Sequence, residues 1–586
     1  MAQASTIPLT EMGRLVLQRR YLQRDGDGGP IESAAEMFRR VADNVAEAER
    51  AFGGDVEAMA DRAYEAMSRL EFLPNSPTLM NAGLGIQQLS ACFVLPIEDS
   101  LPGIFDALKY AALIHQSGGG TGFAFSRLRP ANDPVQSTHG VASGPVSFMH
   151  VFDAATDAIK QGGTRRGANM AILNVEHPDI EAFMRAKDDS HRLTNFNLSV
   201  AVSDVFMEAA AEGRDVALIN PRTGEQVGTR NAADLFELLS AQAWKHGDPG
   251  LVFLDRINRD NPTPELGVIE STNPCGEQPL LPNESCTLGS IDVSKFVNER
   301  RNDVTWDRFA DTIDVAVRFL DDVIDQNRYP SAAIEQATKR TRKIGLGIMG
   351  FADLLIKCRV AYDSEAGIAW AERLMRFVRQ QANAMSQALA NERGVFPSWD
   401  GSIFADDGRR LRNATRTTIA PTGTLSIIAG CSSGIEPLFA LAYQRQHYLD
   451  GDDPSRLTQF IEISPSLQRV AESDGWWSDA LKEHLVHGGS LQGWDPAPVW
   501  AQQTFVTAHE IDASWHVRMQ AAFQRHVDNA VSKTINLAAS ATPRDVANAY
   551  RLAWREGCKG ITVYRDQSRS GQVLSHVDLD AAGDWH

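Results

Sequence analysis

The amino-acid sequence predicts an α/β fold, because short apolar runs alternate with amphipathic stretches along most of its length. The apolar runs are bounded by turn residues, as strands are, whereas apolar residues in the intervening stretches recur at spacings of three and four. Such alternation is typical of folds in which helices cover a parallel sheet. The strand candidates are 92–95, 121–125, 170–175, 197–202, 417–420, 533–537 and 560–563, and helical stretches include 104–115, 309–326 and 367–393.

The composition indicates a large globular protein and excludes several classes. The chain has 586 residues, of which 43% are hydrophobic and 23% are charged, a length that suits a few domains or one large barrel. Its formal net charge of −18 excludes a protein that coats nucleic acid by electrostatic attraction. No apolar run is long enough for a membrane span, and the N-terminus lacks the apolar stretch of a signal peptide. We therefore expect a cytoplasmic protein without nucleic-acid or membrane partners.

The order of the patterns divides the chain into a helical N-terminal region and a longer α/β region. Helical spacing of apolar residues ends at the sequence LPNSP, where two prolines break it. We expect the helical region over 1–73, the α/β region over 74–568, and a short tail without a CxxC pair over 569–586. Within the α/β region, 213–232 predicts a hairpin or loop. The Trp-containing segment 449–515 predicts an insertion or lid-like excursion whose tryptophans pack.

Four glycine-rich segments are candidates for binding a phosphate or a nucleotide. Residues 345–350 match GxGxxG, but no buried strand precedes them. We expect these glycines to let a helix approach its neighbours rather than to bind a dinucleotide. The better candidates are 118–122, 162–167 and 421–424, the last of which follows a strand candidate and offers backbone amides and hydroxyls. A plain turn remains the alternative for each of them.

The six cysteines are too few for a disulfide scaffold, and none belongs to a CxxC pair. A single cysteine in such a chain is most often a small buried hydrophobic residue. This is our expectation for Cys358, Cys431 and Cys558. Cys431 fits it least well, because it lies in the Gly- and Ser-rich stretch 430–434.

The segment Asn273-Pro274-Cys275-Gly276-Glu277 carries the strongest chemical signal in the sequence. If this stretch is extended, the side chains at alternate positions point the same way. One small face would then hold an amide, a thiol and a carboxylate, which suits hydrogen-atom or nucleophilic chemistry at sulfur with a base beside it. The alternative is a structural cysteine in a Pro/Gly turn, which the flanking Asn and Glu disfavour.

The same segment resembles the finger-loop motif of ribonucleotide reductases, and further motifs follow in that family's order. The resemblance extends from about residue 35 to residue 573, nearly the whole chain. It implies a ten-stranded α/β barrel with the finger loop inside it. The other motifs that resemble this family are 73–83, 90–93, 118–122, 163–170, 421–425 and 557–565.

Motifs that are present and motifs that are missing indicate which class of the family the sequence resembles. The nine tyrosines include no adjacent pair, unlike the diiron-dependent class, and residues 571–586 do not resemble a glycyl-radical motif. Residues 557–568 are similar to the adenosylcobalamin-dependent class. The resemblance thus implies adenosylcobalamin as cofactor, and no metal held by the protein is expected. No DxHxxG motif is present, since Thr194 stands where the nearest match, at Asp189 and His191, needs glycine.

The resemblance also implies roles for five residues. Cys275 would become a thiyl radical that removes the 3′-hydrogen of the ribose. Glu277 would act as base on the 3′-hydroxyl, and Asn273 would hold the geometry. Cys92 and Cys286 would supply two electrons by forming a disulfide. The deoxyribonucleotides that result would support DNA synthesis.

The resemblance further implies a substrate site, an allosteric site and partners. A deoxynucleotide effector would bind near Asp106, Arg165 and Arg166 at the interface of a homodimer. The residues expected to hold the ribonucleotide substrate are Ser76, Thr78, Ala91, Gly120, Pro421, Thr422, Gly423, Thr424 and Leu425.

Two departures from the family leave alternatives open. The last cysteine is Cys558, so either a thiol reductant or a separate reductase chain would reduce the disulfide, or a tail that carries a CxxC pair was lost. No N-terminal domain resembles an ATP-binding activity domain. One alternative is a non-catalytic nucleotide-binding chain of a split reductase, and another is a different B12 radical enzyme, which would have no reason to keep Cys92 and Cys286.

Overall fold

The computed structural model describes residues 7–135, 139–161, 165–189, 191–448, 457–566, 568 and 574–575. The expected helical N-terminal region is confirmed, with helices Glu11–Arg20, Ala34–Ala46 and Val56–Ser68 and a 3-10 helix at Glu47–Phe52. The second helix begins with a capping box between Ser33 and Glu36 and buries one apolar face. The first helix, Glu11–Arg20, also lies within the expected helical region 1–73.

A ten-stranded sheet forms the centre of the protein, in agreement with the predicted α/β barrel. Several predicted strands agree with it to within a residue or two. In chain order, the strands are β1 (Phe72–Pro74), β2 (Cys92–Leu95), β3 (Gly120–Ala124), β4 (Asn169–Asn174), β5 (Phe196–Val202), β6 (Gly250–Phe253), β7 (Ser285–Asp292), β8 (Ile344–Met349), β9 (Thr534–Leu537) and β10 (Gly560–Arg565).

The pairing of the strands forms two parallel halves. Strands β2 to β6 are parallel neighbours, β7 pairs with β8, and β9 pairs with β10. Antiparallel pairs, β7 with β2 and β10 with β6, join the halves. Two parallel bridges, Leu346 with Thr417 and Ile419 with Val531, connect β8 to the chain that enters β9 and so close the ring. The predicted strand 417–420 therefore completes the second half as a bridged segment.

Helices and smaller hairpins surround the barrel. The predicted excursion at 213–232 is a hairpin of Asp215–Ile219 and Gln226–Asn231. The main helices of the α/β region are Ser76–Asn81, Leu101–Gln116, Pro145–Ala158, Ile180–Met184, Asp204–Glu212, Ala232–His246, Leu254–Arg259, Trp306–Gln326, Ala332–Thr341, Phe351–Lys357, Glu365–Arg393, Ile403–Asp406, Gly423–Ala429, Ala513–Gln524 and Pro543–Glu556. Across the described residues, no helix combines the length and the apolar character that crossing a bilayer requires.

The described part of 449–515 has its own small apolar core, while residues 449–456 lie outside the described residues. A strand, Leu457–Ile463, pairs with Ala442–Tyr448 and leads into helices Pro465–Ser473, Asp479–Val486 and Val499–Thr504. Its four tryptophans pack in or against this core, as predicted. Of the predicted tail, only Leu574–Ser575 is described, as a short strand beside Ala442–Tyr448. The domain boundaries at 73 and 568 stay predictions.

The GxGxxG match lies in β8, so the expectation that its glycines belong to a helix was wrong. All residues of this strand are buried. A Cβ atom on Gly345 would lie 2.6 Å from the side-chain nitrogen of Gln278. The first two glycines admit close packing inside the barrel. Only Gly350 lies in the turn before helix Phe351–Lys357, whereas a dinucleotide fingerprint begins in the turn that follows the strand.

A buried network of charges joins the helical N-terminal region to the barrel helices. The guanidinium of Arg393 lies 2.5 Å from Glu49, 2.6 Å from Asp322 and 3.2 Å from Asp321, and its side chain has no exposed surface. Buried carboxylates without a cation are costly, because water no longer solvates them. Arg393 therefore holds the two regions together through three anions at once.

We expect Arg393→Met to lower the free energy of unfolding by about 3–5 kcal/mol, because it leaves the buried Asp322 without its ion-pair partner. Glu49 and Asp321 each lose one cation but keep others, from Arg318 and from Arg342 and Arg412. Urea denaturation would measure the change. Arg50→Met is the matched control, since Arg50 is 71% exposed in its pair with Glu47, and its removal should change the free energy by about 0.5 kcal/mol or less. Equal losses in the two variants would contradict this role of Arg393.

Candidate active site

A hairpin enters the barrel and carries the segment singled out in the sequence. Its two short strands, Ser271–Thr272 and Pro279–Leu280, pair antiparallel, and its tip spans 273–278. The carbonyl oxygen of Glu277 accepts hydrogen bonds from the Thr418 hydroxyl at 2.9 Å and from the Ala530 amide at 3.0 Å. The tip is thus fixed to the two segments that close the barrel, which agrees with the finger loop that the resemblance implied.

Glycines of β3 make room for this hairpin. A Cβ atom on Gly122 would lie 1.7 Å from the carbonyl oxygen of Thr272, and one on Gly120 would lie 2.9 Å from the Pro274 ring. No larger residue fits at Gly122 unless the backbone of the hairpin moves. The candidate phosphate loop 118–122 thus contributes two of its glycines to packing against the finger loop.

The tip of the finger loop is a tight turn, so the expectation of an extended stretch was wrong. The amide of Asn273 donates to the carbonyl of Gln278 at 3.2 Å, and Gly276 has a φ of +82°. This turn places Asn273 and Glu277 on one side, where both are buried, while Cys275 is exposed at the end. The amide and the carboxylate therefore meet because the chain reverses, and not because side chains alternate along a strand.

Asn273 and Glu277 converge on the thiol of Cys92. The side-chain nitrogen of Asn273 donates to Cys92 Sγ at 3.2 Å, and its oxygen accepts from the Gln278 amide at 3.0 Å. Cys92 Sγ lies 4.0 Å from Glu277 Oε1. One buried sulfur thus has both an amide donor and a carboxyl group beside it.

Cys92 and Cys286 lie directly opposite each other on antiparallel strands. Their Cα atoms are register partners in the pairing of β2 with β7, and both thiols belong to one buried apolar cluster. Directly opposed residues have Cβ atoms about 4.5–5.5 Å apart, which is close to the spacing that a disulfide needs. The fold therefore brings together the two cysteines that the resemblance paired, and both are reduced in this structure.

Burial changes the proton affinity of the groups at this site. It raises the pKa of Glu277 to about 7, although the hydrogen bond from Asn273 acts in the opposite direction. Burial also raises the pKa of Cys92 well above its ordinary value, and Glu277 adds to this effect. Within the described part of the chain, Glu277 Oε2 is buried without a hydrogen-bond partner. Such a carboxyl group can hold a proton near neutral pH and pass it to a group placed beside it.

Two of the predicted substrate residues, Ala91 and Gly120, lie next to the cysteine pair. The amide of Gly120 donates to the carbonyl of Ala91 at 2.8 Å, and the Ala91 amide donates to Cys286 at 3.3 Å. The hydroxyl of Ser76 lies 2.7 Å from the hydroxyl of Tyr21. Thr78 is fully buried and its hydroxyl bonds to neighbouring residues, so in this structure it fixes the loop.

The predicted loop 421–425 leads into a helix. Thr422 adopts a left-handed conformation with φ of +51°, and helix Gly423–Ala429 begins directly after it. The Thr422 hydroxyl accepts from the Gly434 amide at 2.7 Å. Pro421 and Gly423 are exposed and Thr424 is half-buried, whereas Leu425 is buried. Backbone amides at this turn are therefore accessible to an anionic group.

The predicted effector residues lie on elements outside the ten-stranded sheet. Asp106 is exposed on helix Leu101–Gln116, and its carboxylate lies 2.8 Å from the ammonium of Lys109. Arg165 and Arg166 form a two-residue strand with Lys160–Gln161, and their side chains lie outside the described residues.

Three further residues at the site were not predicted. Gln278 is fully buried, and within the described residues neither polar atom of its side chain has a partner. Glu284 and Lys343 form a buried ion pair beside Cys286. Gln278 directly follows the finger-loop motif and could have been included, but nothing in the sequence indicates that Lys343 contacts Glu284. Among the described residues, no group of three or more His, Cys, Asp or Glu side chains could hold a metal ion.

The raised pKa of Glu277 predicts a pH dependence of stability. The folded protein retains this proton up to about pH 7, whereas the unfolded chain loses it near 4.5, the ordinary pKa of a glutamate. The free energy of unfolding therefore decreases as pH rises through this window. Urea titrations between about pH 5 and 7.5 should show a smaller decrease in Glu277→Gln than in the original protein. Glu237→Gln, at an exposed position, should keep the original slope, and a Glu277→Gln slope equal to it would contradict the prediction.

Comparisons with known proteins match nearly the whole chain. The family model described as "Ribonucleotide reductase, barrel domain" matches residues 90–564, and the "all-alpha domain" model of the same family matches residues 8–87. The match to the barrel model alone covers more than half of the chain.

Individual relatives agree with these matches. The vitamin B12-dependent ribonucleoside-diphosphate reductase of Thermoplasma acidophilum is 48% identical over 98% of this chain and 81% of its own length. That of Mycobacterium tuberculosis is 50% identical over 96% of this chain and 78% of its own. The class Id ribonucleotide reductase alpha subunit of Actinobacillus ureae, a solved structure, superposes with a TM-score of 0.76 at 25% identity, over 95% of this chain and 97% of that one. The chain therefore belongs to the ribonucleotide reductase family.

Proposed function

We propose that this protein reduces ribonucleoside diphosphates to 2′-deoxyribonucleotides with adenosylcobalamin as its cofactor and a cysteine pair as the source of electrons. The observation that carries the proposal is the convergence of Asn273 and Glu277 on Cys92, directly opposite Cys286. The two relatives named as B12-dependent ribonucleoside-diphosphate reductases support the choice of cofactor and substrate.

The surroundings of Cys275 fit a cofactor that must reach this thiol. Cys275 is exposed at the end of the finger loop. Among the described residues, no atom lies within 4 Å of the position that a Cβ atom on Gly276 would occupy. When bound, adenosylcobalamin supplies the radical chemistry that takes the hydrogen atom from this thiol. Cys275 would face it from the exposed end, while Asn273 and Glu277 stay on the buried side.

The residues of the chain can carry out the remaining steps. The Cys275 thiyl removes the 3′-hydrogen of the ribose, and Glu277, with a pKa of about 7, accepts the proton of the 3′-hydroxyl. Water leaves from C2′, while Cys92 and Cys286 supply two electrons and two hydrogens and become a disulfide. Cys275 then returns its hydrogen atom to C3′. The ribonucleotide and two thiols are thus converted into a deoxyribonucleotide, water and one disulfide.

The loops around the cysteines are suited to hold the substrate. The amides at the start of helix Gly423–Ala429 are accessible and favour an anion, so we assign the phosphates to Pro421, Thr422, Gly423, Thr424 and Leu425. We assign the ribose to the backbone near Ala91 and Gly120, beside the cysteine pair.

We further propose that two copies associate and bind a deoxynucleotide effector between them. Helices Leu101–Gln116 and Pro145–Ala158 pack side by side and expose large apolar side chains, which is typical of an interface. Asp106 lies on the first helix, and Arg165 and Arg166 follow the second. The exposed apolar side chains are Leu101, Phe105, Leu113 and Val151.

An activity assay tests the proposed reaction. Purified protein is incubated with adenosylcobalamin, each of the four ribonucleoside diphosphates, a deoxynucleotide effector and excess dithiothreitol, and deoxynucleotides are measured. We expect sustained product from the original protein and none from Cys275→Ser, because serine cannot form the thiyl radical. Cys358→Ser is the control, since Cys358 is buried in another core, and it should remain active.

Two results would contradict the proposal. Product from Cys275→Ser over several turnovers would exclude the thiyl mechanism. No product from any variant, with no cleavage of the cobalt–carbon bond, would favour a non-catalytic nucleotide-binding chain. Ribonucleoside triphosphates in a parallel assay determine which phosphate form is used.

A single turnover tests the role of the cysteine pair. Without reductant, we expect about one deoxynucleotide per active site and the loss of two thiols, which peptide mapping should locate at Cys92 and Cys286. Adding a dithiol, either dithiothreitol or a CxxC-type protein, should restore turnover. Cys358, Cys431 and Cys558 cannot substitute, because they lie in or against other apolar clusters than the one that holds Cys92 and Cys286. Continued turnover by Cys286→Ser would exclude this role.

A further inference from the structure

Glu284 and Lys343 form a buried ion pair beside the cysteine pair. The ammonium of Lys343 lies 2.6 Å from Glu284 Oε2, and both side chains are almost completely buried. The carboxylate also accepts from the Leu281 amide and the Thr341 hydroxyl, each at 2.7 Å. A buried pair of this kind gains little stability over apolar residues of similar volume, so a role beyond stability is worth testing.

The strand register places this pair on the same face as Cys286. Glu284 precedes Cys286 by two residues. The Val94 amide donates to the carbonyl oxygen of Glu284, so the pairing with β2 continues to Glu284. Residues two apart on a strand share a face. Thr287 pairs with Ile344 in the parallel register of β7 and β8, so Lys343 lies beside Cys286. The thiol of Cys286 accordingly lies 3.5 Å from the Lys343 carbonyl oxygen.

The two sulfurs of the pair have different polar neighbours. Cys92 has an amide donor and a carboxyl group, from Asn273 and Glu277. Cys286 Sγ instead donates to two carbonyl oxygens, those of Thr287 and Lys343, each at 3.5 Å. Carbonyl oxygens accept a hydrogen bond from a thiol, but they repel a thiolate. A thiolate at Cys286 therefore requires a nearby cation, and the charge of Lys343 lowers the pKa of Cys286 against the larger opposite effect of burial.

We infer that Lys343 is a positioning residue that stabilises Cys286 as the departing thiolate when the disulfide is reduced, so that the reductant attacks Cys92. This inference rests on the proposed function. A thiolate of the dithiol bonds to Cys92 Sγ, the Cys92–Cys286 bond breaks, and Cys286 leaves with the electron pair. The second sulfur of the dithiol then attacks the mixed disulfide and releases Cys92. The dithiol is oxidised, and its two protons end on Cys92 and Cys286.

The test measures how fast the oxidised cysteine pair is reduced. The disulfide is formed with diamide, which keeps the test independent of turnover, and its reduction by dithiothreitol is followed by thiol counting across a pH series. We expect Lys343→Met to slow reduction about tenfold at neutral pH and to shift its pH profile upward, because a leaving thiol of higher pKa departs more slowly. Glu284→Gln should be as fast as the original protein or faster, because it removes the opposing anion.

Two further variants separate this role from a structural one. The double variant Lys343→Met/Glu284→Leu removes both charges without leaving one unpaired, and it should be as slow as Lys343→Met. Lys187→Met breaks a different buried ion pair, in which the ammonium of Lys187 lies 2.8 Å from Asp248. The disulfide of this variant should be reduced at the original rate. Equal slowing by Lys343→Met and Glu284→Gln, with an unshifted pH profile, would overturn the inference.

The site of attack gives an independent result. Oxidised protein is treated with a monothiol such as glutathione, quenched with acid and mapped by mass spectrometry. We expect the mixed disulfide at Cys92, and a mixed disulfide at Cys286 would overturn the inference. If instead the disulfide never forms during turnover while these variants behave as expected, the proposed function fails and the inference about the pair stands.

Discussion

The passage of a hairpin through the interior of the barrel is the constraint on which the rest of this structure depends. Ordinary barrels of this size fill their interior with large side chains, so a chain segment inside one requires space. Gly122 gives this space where the backbone at Thr272 crosses β3, and Gly345 gives it where Gln278 meets β8. These glycines serve close approach within strands and not phosphate binding, which is why one of them sits in a misleading GxGxxG match.

Burial of the hairpin tip has both a structural and a chemical consequence. Inside the barrel, water no longer solvates Glu277, and its pKa rises to about 7. The same burial disfavours the thiolates of Cys92 and Cys286. The two thiols therefore keep their protons at neutral pH, whereas Glu277, with a pKa of about 7, can both accept and return a proton there. Asn273 connects the two effects, because it closes the turn and also donates to Cys92.

Much of the fold could be predicted from the sequence, because it depends on local pattern, whereas the pairing of Cys92 with Cys286 was implied only by the resemblance to the family. Strand β2 was predicted to the residue, since its apolar run is short and bounded by turns. The geometry of the finger loop could not be predicted in this way. The alternating positions of Asn273, Cys275 and Glu277 suggested an extended stretch, whereas Gly276, with a φ of +82°, reverses the chain. The contacts of Arg393 and Lys343 were missed for another reason. Their partners are distant in sequence, and only the closed barrel brings them together.

Closure of the barrel and assembly of the site depend on the same hydrogen bonds. The segments that complete the ring form bridges at Thr417, Ile419 and Val531, and their neighbours Thr418 and Ala530 both donate to the carbonyl oxygen of Glu277. A barrel that opened at this seam would release the carboxyl group from Cys92 as well. The antiparallel pairing of β2 with β7 places the two cysteines opposite each other. The bridges that close the barrel thus hold the carboxyl group, and the β2–β7 pair holds the cysteines. The carboxyl group and the cysteine pair can therefore reach their working positions only when the barrel is complete.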